Sequence, residues 1–207
     1  MNSGGLRIGV LGSGNGTNCE AIIEACSRGA IRGQVVIVLS DIADAFILER
    51  ARKHGIPAKF IGPSQFKTKL EPELEQQFVQ ALQEADVQLV ALAGYMRLVK
   101  PPLLNAFAGR ILNVHPSLLP AFPGLRAWEQ ALTHGVRITG CTVHFVDEGV
   151  DAGPIILQEP VPVFPDDTAE TLHRRIQVTE HKLFPEAIRL FAEGKLRMIG
   201  RRVKIFE

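Results

Sequence analysis

Residues 6–18 read LRIGVLGSGNGTN: an apolar run of strand length, a glycine-rich loop and, from Thr17, the start of a helical pattern. The helical pattern ends at Gly29, and a second apolar run, QVVIVLS (34–40), follows it. Strands that are apolar on both faces are typical of parallel sheets that helices cover on both sides. The stretch therefore predicts the first strand, turn and helix of an α/β fold.

Strand-like and helical segments continue to alternate along the chain. A helical segment ending at Gly55 leads to a short strand, and another leads to the apolar run QLVALAG (88–94). Beyond residue 100, the strand RILNVH (110–115) runs into a proline-rich loop, and a late helical stretch contains Pro185, which we expect to kink or split it. The pattern predicts a Rossmann-like doubly wound, mostly parallel sheet with helices on both faces.

The length and composition favour a single domain. The chain has 207 residues, of which 46% are hydrophobic and 22% charged, as in ordinary globular proteins. It lacks both an apolar run long enough to span a membrane and a signal-peptide pattern, so we expect it to be cytoplasmic. A net charge of +1 gives no general attraction to nucleic acid or to membranes, and the basic tail (195–206) is interpreted as a solvated strand.

The loop GSGNGTN (12–18) predicts a phosphate site. Free amide N–H groups and the positive dipole end of the following helix favour an anion there. The third glycine, Gly16, comes one position too early for a dinucleotide fingerprint, and Asp41 comes too late after Gly12. A phosphate monoester is favoured over a dinucleotide and over a purely structural turn.

A second polar motif lies at the end of the strand RILNVH. Because side chains alternate along a strand, Asn113 and His115 share one face, at the carboxyl end where ligands bind in open parallel sheets. An amide can bind a developing oxyanion, and an imidazole can transfer a proton near neutral pH. The alternative is that His115 is a buried histidine with a purely structural role at the end of the strand.

The loop VDEGVDAGP (146–154) could supply a carboxylate to His115. An aspartate beside an imidazolium orients the ring and stabilises its charged form, although the loop could also be a solvated acidic turn. Cys141, His144 and Asp147 have the composition of a metal site, but Cys141 and His144 lie on opposite faces of one strand. We therefore expect no metal.

These motifs together resemble the folate-dependent phosphoribosylglycinamide formyltransferases. The resemblance extends from Leu6 to Arg197 and is carried by the segments SGNGTN, LAGYMRLV, ILNVHPSLLPAFPG, TVHFVDEGVDAGPIILQ and TEHKLFP. It implies the formyltransferase fold, as one domain over 1–207 with a phosphate-binding half (6–99) and a catalytic and folate-binding half (100–207). It also implies that the formyl group of 10-formyltetrahydrofolate, the cosubstrate, passes to the amine of glycinamide ribonucleotide in de novo purine (IMP) biosynthesis.

The resemblance also implies three sets of site residues. The catalytic residues are Asn113, His115 and Asp151. The ribonucleotide-binding residues are Gly16, Thr17, Asn18, Gln177, Val178, Thr179 and Glu180. The folate-binding residues are Lys69, Met96, Arg97, Leu98, Val99, Asn113, Asp147, Glu148, Gly149, Val150 and Asp151. The expected partners are these two small molecules, with no nucleic acid or membrane, and the expected state is a monomer or homodimer.

The implied reaction needs no nucleophile from the protein, because the substrate amine attacks the formyl carbon directly. Two relatives with the same fold are alternatives: formyltetrahydrofolate hydrolase, which adds an N-terminal domain, and methionyl-tRNA formyltransferase, which adds a C-terminal barrel. We expect neither addition here, because the few residues before the first strand leave no room for the N-terminal domain and methionyl-tRNA formyltransferase is longer than this chain. Two alternatives belong to other classes of function: a non-catalytic nucleotide-binding module and an NAD(P)-dependent oxidoreductase.

Overall fold

A computed structural model describes residues 4–206. They form two compact units, of which the first ends at Leu112 and the second begins at Asn113. The first unit contains β1 (Leu6–Leu11), α1 (Thr17–Ser27), β2 (Gly33–Ser40), α2 (Phe46–Lys53), β3 (Ala58–Phe60), α3 (Pro72–Glu84), β4 (Leu89–Leu92) and α4 (Pro101–Ala106). The strand β5 (Ile111–His115) contains the boundary. The second unit contains α5 (Ala127–Thr133), β6 (Ile138–Phe145), β7 (Ile155–Pro162), α6 (Ala169–Ala192), β8 (Leu196–Ile199) and β9 (Arg202–Ile205).

The first unit is built on parallel strands. β1 pairs with β2 on one side and with β4 on the other, and β3 pairs with β2. All four residues of β4 are buried, as are the last four of β1, as expected for strands of a parallel sheet that helices cover on both faces. Parallel strands bring their carboxyl ends to one edge, so the residues that follow β1, β2 and β4 lie near one another.

The second unit has a mixed sheet. β6 pairs antiparallel with β7, β7 pairs parallel with β9, and β9 pairs antiparallel with β8. The long helix α6 packs on β6 and β7 and buries Leu172 and Ile176 against Cys141 and Val161. The helix begins at a cap in which Thr168 Oγ1 accepts a hydrogen bond from Thr171 N.

The predicted fold class is confirmed: the chain has an α/β fold with a mostly parallel sheet and helices on both faces. The expectation that Pro185 splits the late helical stretch is wrong, because α6 is one helix with Pro185 inside it. The short helix α4 was not expected from the sequence, and the basic tail forms the two strands β8 and β9. No helix within residues 4–206 is long and apolar enough to cross a membrane. The predicted division into halves at residue 100 stays a prediction.

Candidate active site

The predicted catalytic side chains lie together in the second unit. Asp151 Oδ2 is 3.3 Å from His115 Nδ1, and Asp151 Oδ1 accepts a hydrogen bond from Asn113 Nδ2 over 3.4 Å. Both partners come from β5, whose alternation places them on one face as the sequence predicts. The single carboxylate of Asp151 therefore contacts both an amide and an imidazole.

The ring of His115 is held from two sides. Only 4% of the residue is exposed, and its Nε2 donates a hydrogen bond to the carbonyl oxygen of Phe122 over 2.8 Å. Because Nδ1 faces the carboxylate of Asp151, both ring nitrogens point at hydrogen-bond acceptors. A ring that carries a proton on each nitrogen satisfies both acceptors at once.

The backbone around Asp151 fixes the carboxylate. Asp151 has a φ of 49°, in the left-handed region where aspartate and asparagine are among the tolerated side chains. Its Oδ2 accepts a hydrogen bond from Gly124 N over 2.8 Å. A Cβ at Gly153 would overlap the carbonyl oxygen of Phe145, so the loop can close after Asp151 only with glycine there.

His144 is a member of this cluster that sequence reasoning did not assign to it. Its Nδ1 donates to the carbonyl oxygen of Phe145 over 2.8 Å, which leaves Nε2 as an acceptor for Asn113 Nδ2 at 3.1 Å. Burial lowers the pKa of His144, and the hydrogen bond to the Phe145 carbonyl and the nearby carboxylate of Asp151 offset this only in part. A neutral His144 therefore fixes which way the amide of Asn113 faces.

The lowered pKa of His144 makes stability depend on pH. At a pH between this lowered pKa and the unperturbed 6.5, the unfolded chain binds more protons than the folded one, so stability is lost as the pH falls. We expect the free energy of unfolding in urea to be smaller at about pH 5.5 than at about pH 7.5. His144→Gln should reduce this difference but not abolish it, since burial also lowers the pKa of His173. An unchanged difference in His144→Gln would contradict the assignment.

The predicted phosphate loop lies at the start of α1, in the first unit. Gly16 is the N-cap, with a φ of 78°, and Thr17 and Asn18 begin the helix. Within the part of the chain that the structure describes, no side chain caps this helix start, and Glu20 N makes the first helical hydrogen bond, to Gly16 O. The positive end of the helix dipole lies at this start, which suits an anion.

The helix α2 braces this loop. Ile47 N donates to Gly14 O over 3.1 Å, and Arg50 Nε donates to Asn15 O over 2.8 Å. Arg50 also pairs with Glu20 of α1, at 3.1 Å. A Cβ at Gly16 would lie 2.8 Å from the Cα of Ile47, so only glycine allows α2 to approach the loop this closely.

Gly16→Val is expected to destabilise the fold as well as the phosphate site. The new side chain would overlap the backbone of α2 in a left-handed conformation, a strain of about 1–3 kcal/mol or more. Thermal unfolding should therefore shift to lower temperature. Gly14→Ala is the matched control, because a Cβ there meets nothing within 4 Å. A melting temperature of Gly16→Val equal to that of Gly14→Ala would contradict this packing.

The other predicted binding residues lie on α6 and in loops, and their ligand contacts stay predictions. Residues 177–180 form one turn of α6, in which Glu180 is buried and Val178 exposed. Lys69 is exposed, with Nζ 4.4 Å from the ring centroid of Phe66. The remaining folate-binding predictions fall in two loops, one after β4 and one between β6 and β7: Met96, Arg97, Leu98, Val99, Asp147, Glu148, Gly149 and Val150.

Cys19 and Cys141 are buried cysteines. No group of three or more histidine, cysteine, aspartate or glutamate side chains in that range could hold a metal ion. Burial raises the pKa of the Cys141 thiol to about 12, and that of Cys19 to about 12 as well. Neither thiol is a thiolate nucleophile near neutral pH.

Known proteins place this chain in a family. A sequence model of the formyl transferase family matches residues 6–188. The phosphoribosylglycinamide formyltransferase of Escherichia coli (strain K12) is 43% identical over 93% of this chain and 90% of its own length. The crystal structure of glycinamide ribonucleotide transformylase 1 from Symbiobacterium toebii has a TM-score of 0.95 and 55% identity, covering 100% of this chain and 96% of that one.

Larger relatives contain a similar segment. The trifunctional purine biosynthetic protein adenosine-3 of Homo sapiens is 44% identical over 96% of this chain, which spans only 19% of that protein. Identity is thus similar with a relative that the chain covers almost fully and with part of a multifunctional protein. The chain belongs to the formyl transferase family and, within it, to the phosphoribosylglycinamide formyltransferases.

Proposed function

We propose that this enzyme transfers the formyl group of 10-formyltetrahydrofolate to the amine of glycinamide ribonucleotide, giving formylglycinamide ribonucleotide and tetrahydrofolate, in de novo purine biosynthesis. The observation that carries the proposal is the carboxylate of Asp151, which contacts both His115 and Asn113. The cluster contains a proton donor and an amide donor but no activated nucleophile. Such a cluster suits a reaction in which the substrate itself supplies the nucleophile.

The reaction balances without a covalent enzyme intermediate. The amine nitrogen of the ribonucleotide forms a bond to the formyl carbon, and the formyl oxygen takes up negative charge. The oxyanion then collapses and breaks the bond to N10 of the folate. The amine loses one proton and N10 gains one, so the protein needs only to stabilise the oxyanion and to relay a proton.

Asn113 is the proposed donor to the oxyanion. One N–H of its Nδ2 donates to His144 over 3.1 Å, and the other faces Asp151 over 3.4 Å, near the limit of hydrogen-bond geometry. The longer contact with Asp151 can be replaced by a hydrogen bond to a substrate oxygen with little loss of free energy. The contact with His144 meanwhile keeps the amide plane in place.

His115 is the proposed proton donor to the folate nitrogen. Asp151 holds Nδ1, so Nε2 is the nitrogen that can serve the substrate. In this structure Nε2 donates to the carbonyl oxygen of Phe122, whose φ of 55° is unusual for an aromatic residue. We infer that the substrate replaces Phe122 as the partner of Nε2.

The substrate contacts are proposed from the family resemblance. Gly16, Thr17 and Asn18 would bind the ribonucleotide phosphate, and residues 177–180 its ribose. Lys69, residues 96–99 and residues 147–151 would bind the folate. The start of α1 supports the first assignment, because its N-cap is a glycine with no side-chain cap and the positive end of the helix dipole favours an anion there. A cytoplasmic location, small-molecule partners alone, a monomeric or homodimeric state and a single domain with halves at 6–99 and 100–207 complete the proposal.

Product analysis tests this function. The chain is incubated with glycinamide ribonucleotide and 10-formyltetrahydrofolate whose formyl carbon is labelled with ¹³C, and the ribonucleotide is examined by mass spectrometry. We expect the ribonucleotide to gain one labelled formyl group. A non-catalytic nucleotide-binding module would bind the ribonucleotide and leave its mass unchanged.

A further inference from the structure

A buried carboxylate connects three loops of the first unit. Asp41 follows β2, and its Oδ1 accepts a hydrogen bond from Ser13 Oγ over 2.6 Å. Its Oδ2 accepts one from Arg97 Nε, also over 2.6 Å. The side chains of Asp41 and Arg97 are only 1% and 9% exposed. Ser13 belongs to the predicted phosphate loop, and Arg97 to the segment after β4 that is predicted to face the folate.

Both partners of Asp41 extend the network. Ser13 Oγ accepts a hydrogen bond from Met96 N over 3.0 Å, and Ser13 N donates to Gly94 O over 3.0 Å. The guanidinium of Arg97 also donates to the carbonyl oxygen of Phe66. The phosphate loop and the segment 94–99 are therefore joined directly and through Asp41.

The exposure of segment 96–98 shows which residue anchors it. Met96 and Leu98 are 50% and 39% exposed, whereas the side chain of Arg97 between them is buried on Asp41. Arg97 thus binds Asp41 and the carbonyl oxygen of Phe66, whereas Met96 and Leu98 face outward. A buried ion pair is often no more stabilising than an apolar pair of the same size, so a role in holding geometry accounts for this one better than stability alone.

We propose that Asp41, with Ser13 and Arg97, is a positioning unit that makes the binding of ribonucleotide and of folate interdependent. An anion that orders the phosphate loop would order segment 94–99 through Ser13 and Asp41, and a folate on that segment would order the loop in return. Such coupling is reciprocal by thermodynamic necessity. The inference rests on the proposed function, because that function assigns the two ligands to these two segments.

Titration calorimetry on the whole chain tests the coupling. The Kd of glycinamide ribonucleotide is measured with and without saturating tetrahydrofolate, and the Kd of tetrahydrofolate with and without ribonucleotide. In the wild type we expect each ligand to tighten the other by about fivefold or more. The coupling factor is the ratio of the Kd values without and with the second ligand. It should fall to near one in Ser13→Ala, Asp41→Asn and Arg97→Met.

A double variant separates positioning from stability. Asp41→Asn and Arg97→Met each leave one buried charge without its partner and should lower the melting temperature, whereas the double variant removes both charges and should recover much of the loss. Under the proposal its coupling factor stays near one. If the pair only stabilised the fold, the coupling would return together with the melting temperature.

Arg50→Met is the matched control. Arg50 also binds the phosphate loop, through Asn15, but its other partner is Glu20 rather than Asp41. We expect this variant to weaken ribonucleotide binding and keep the coupling factor. A factor near one in the wild type, or a wild-type factor in Asp41→Asn or in the double variant, would overturn the inference. Failure of the wild type to form labelled product would instead overturn the proposed function.

Discussion

Replacing His115 with alanine is expected to lower kcat by about 10²–10⁴, the contribution of a positioned general acid. Asp151→Asn should lower kcat by most of the same factor, because the amide keeps the shape of the carboxylate but not its charge. Asparagine is the suitable replacement, since it also tolerates the left-handed backbone at this position. Initial-rate kinetics at saturating substrates measure both effects, and circular dichroism checks that the variants are folded.

The double variant His115→Ala/Asp151→Asn tests whether the two residues act as a unit. Asp151 Oδ2 is 3.3 Å from His115 Nδ1, so most of the effect of the carboxylate should pass through the ring. The double variant should therefore be scarcely slower than His115→Ala. Fully additive losses in folded variants would mean that Asp151 acts independently of His115.

Asn113→Ala is expected to lower kcat by about 10²–10³, the loss found on removing one oxyanion donor. The KM values should change much less, because the interaction develops as the formyl oxygen becomes charged. His144→Gln should give a smaller loss, since the amide of Asn113 remains and only its support changes. A larger effect on KM than on kcat in Asn113→Ala would contradict the assigned role.

Much of the candidate catalytic cluster could be predicted from local periodicity. The alternation of β5 alone places Asn113 and His115 on one face, and the glycines around Asp151 indicate a tight loop. The contact of Asp151 with His115 was predicted as one possibility only, because periodicity does not show where a loop folds back. The family resemblance supplied that pairing.

Contacts between distant segments could not be predicted in this way. His144 reaches Asn113 from another strand, and strand pairing is not visible in a single sequence. The carbonyl oxygen of Phe122 binds His115 through the backbone, which leaves no sequence signal. Arg97 was expected only as part of the folate wall, and its buried partner Asp41 lies 56 positions away in the chain.

The dependence of tetrahydrofolate release on the ribonucleotide tests the central claim most directly. The chain is incubated with 10-formyltetrahydrofolate alone and then with glycinamide ribonucleotide added, and tetrahydrofolate is followed over time. We predict rapid release only with the ribonucleotide, because its amine is the nucleophile. In the proposed function, Asn113 and His115, with Asp151, assist the attack of that amine. Equal release without the ribonucleotide would contradict the account and identify water as the acceptor, as in a formyltetrahydrofolate hydrolase.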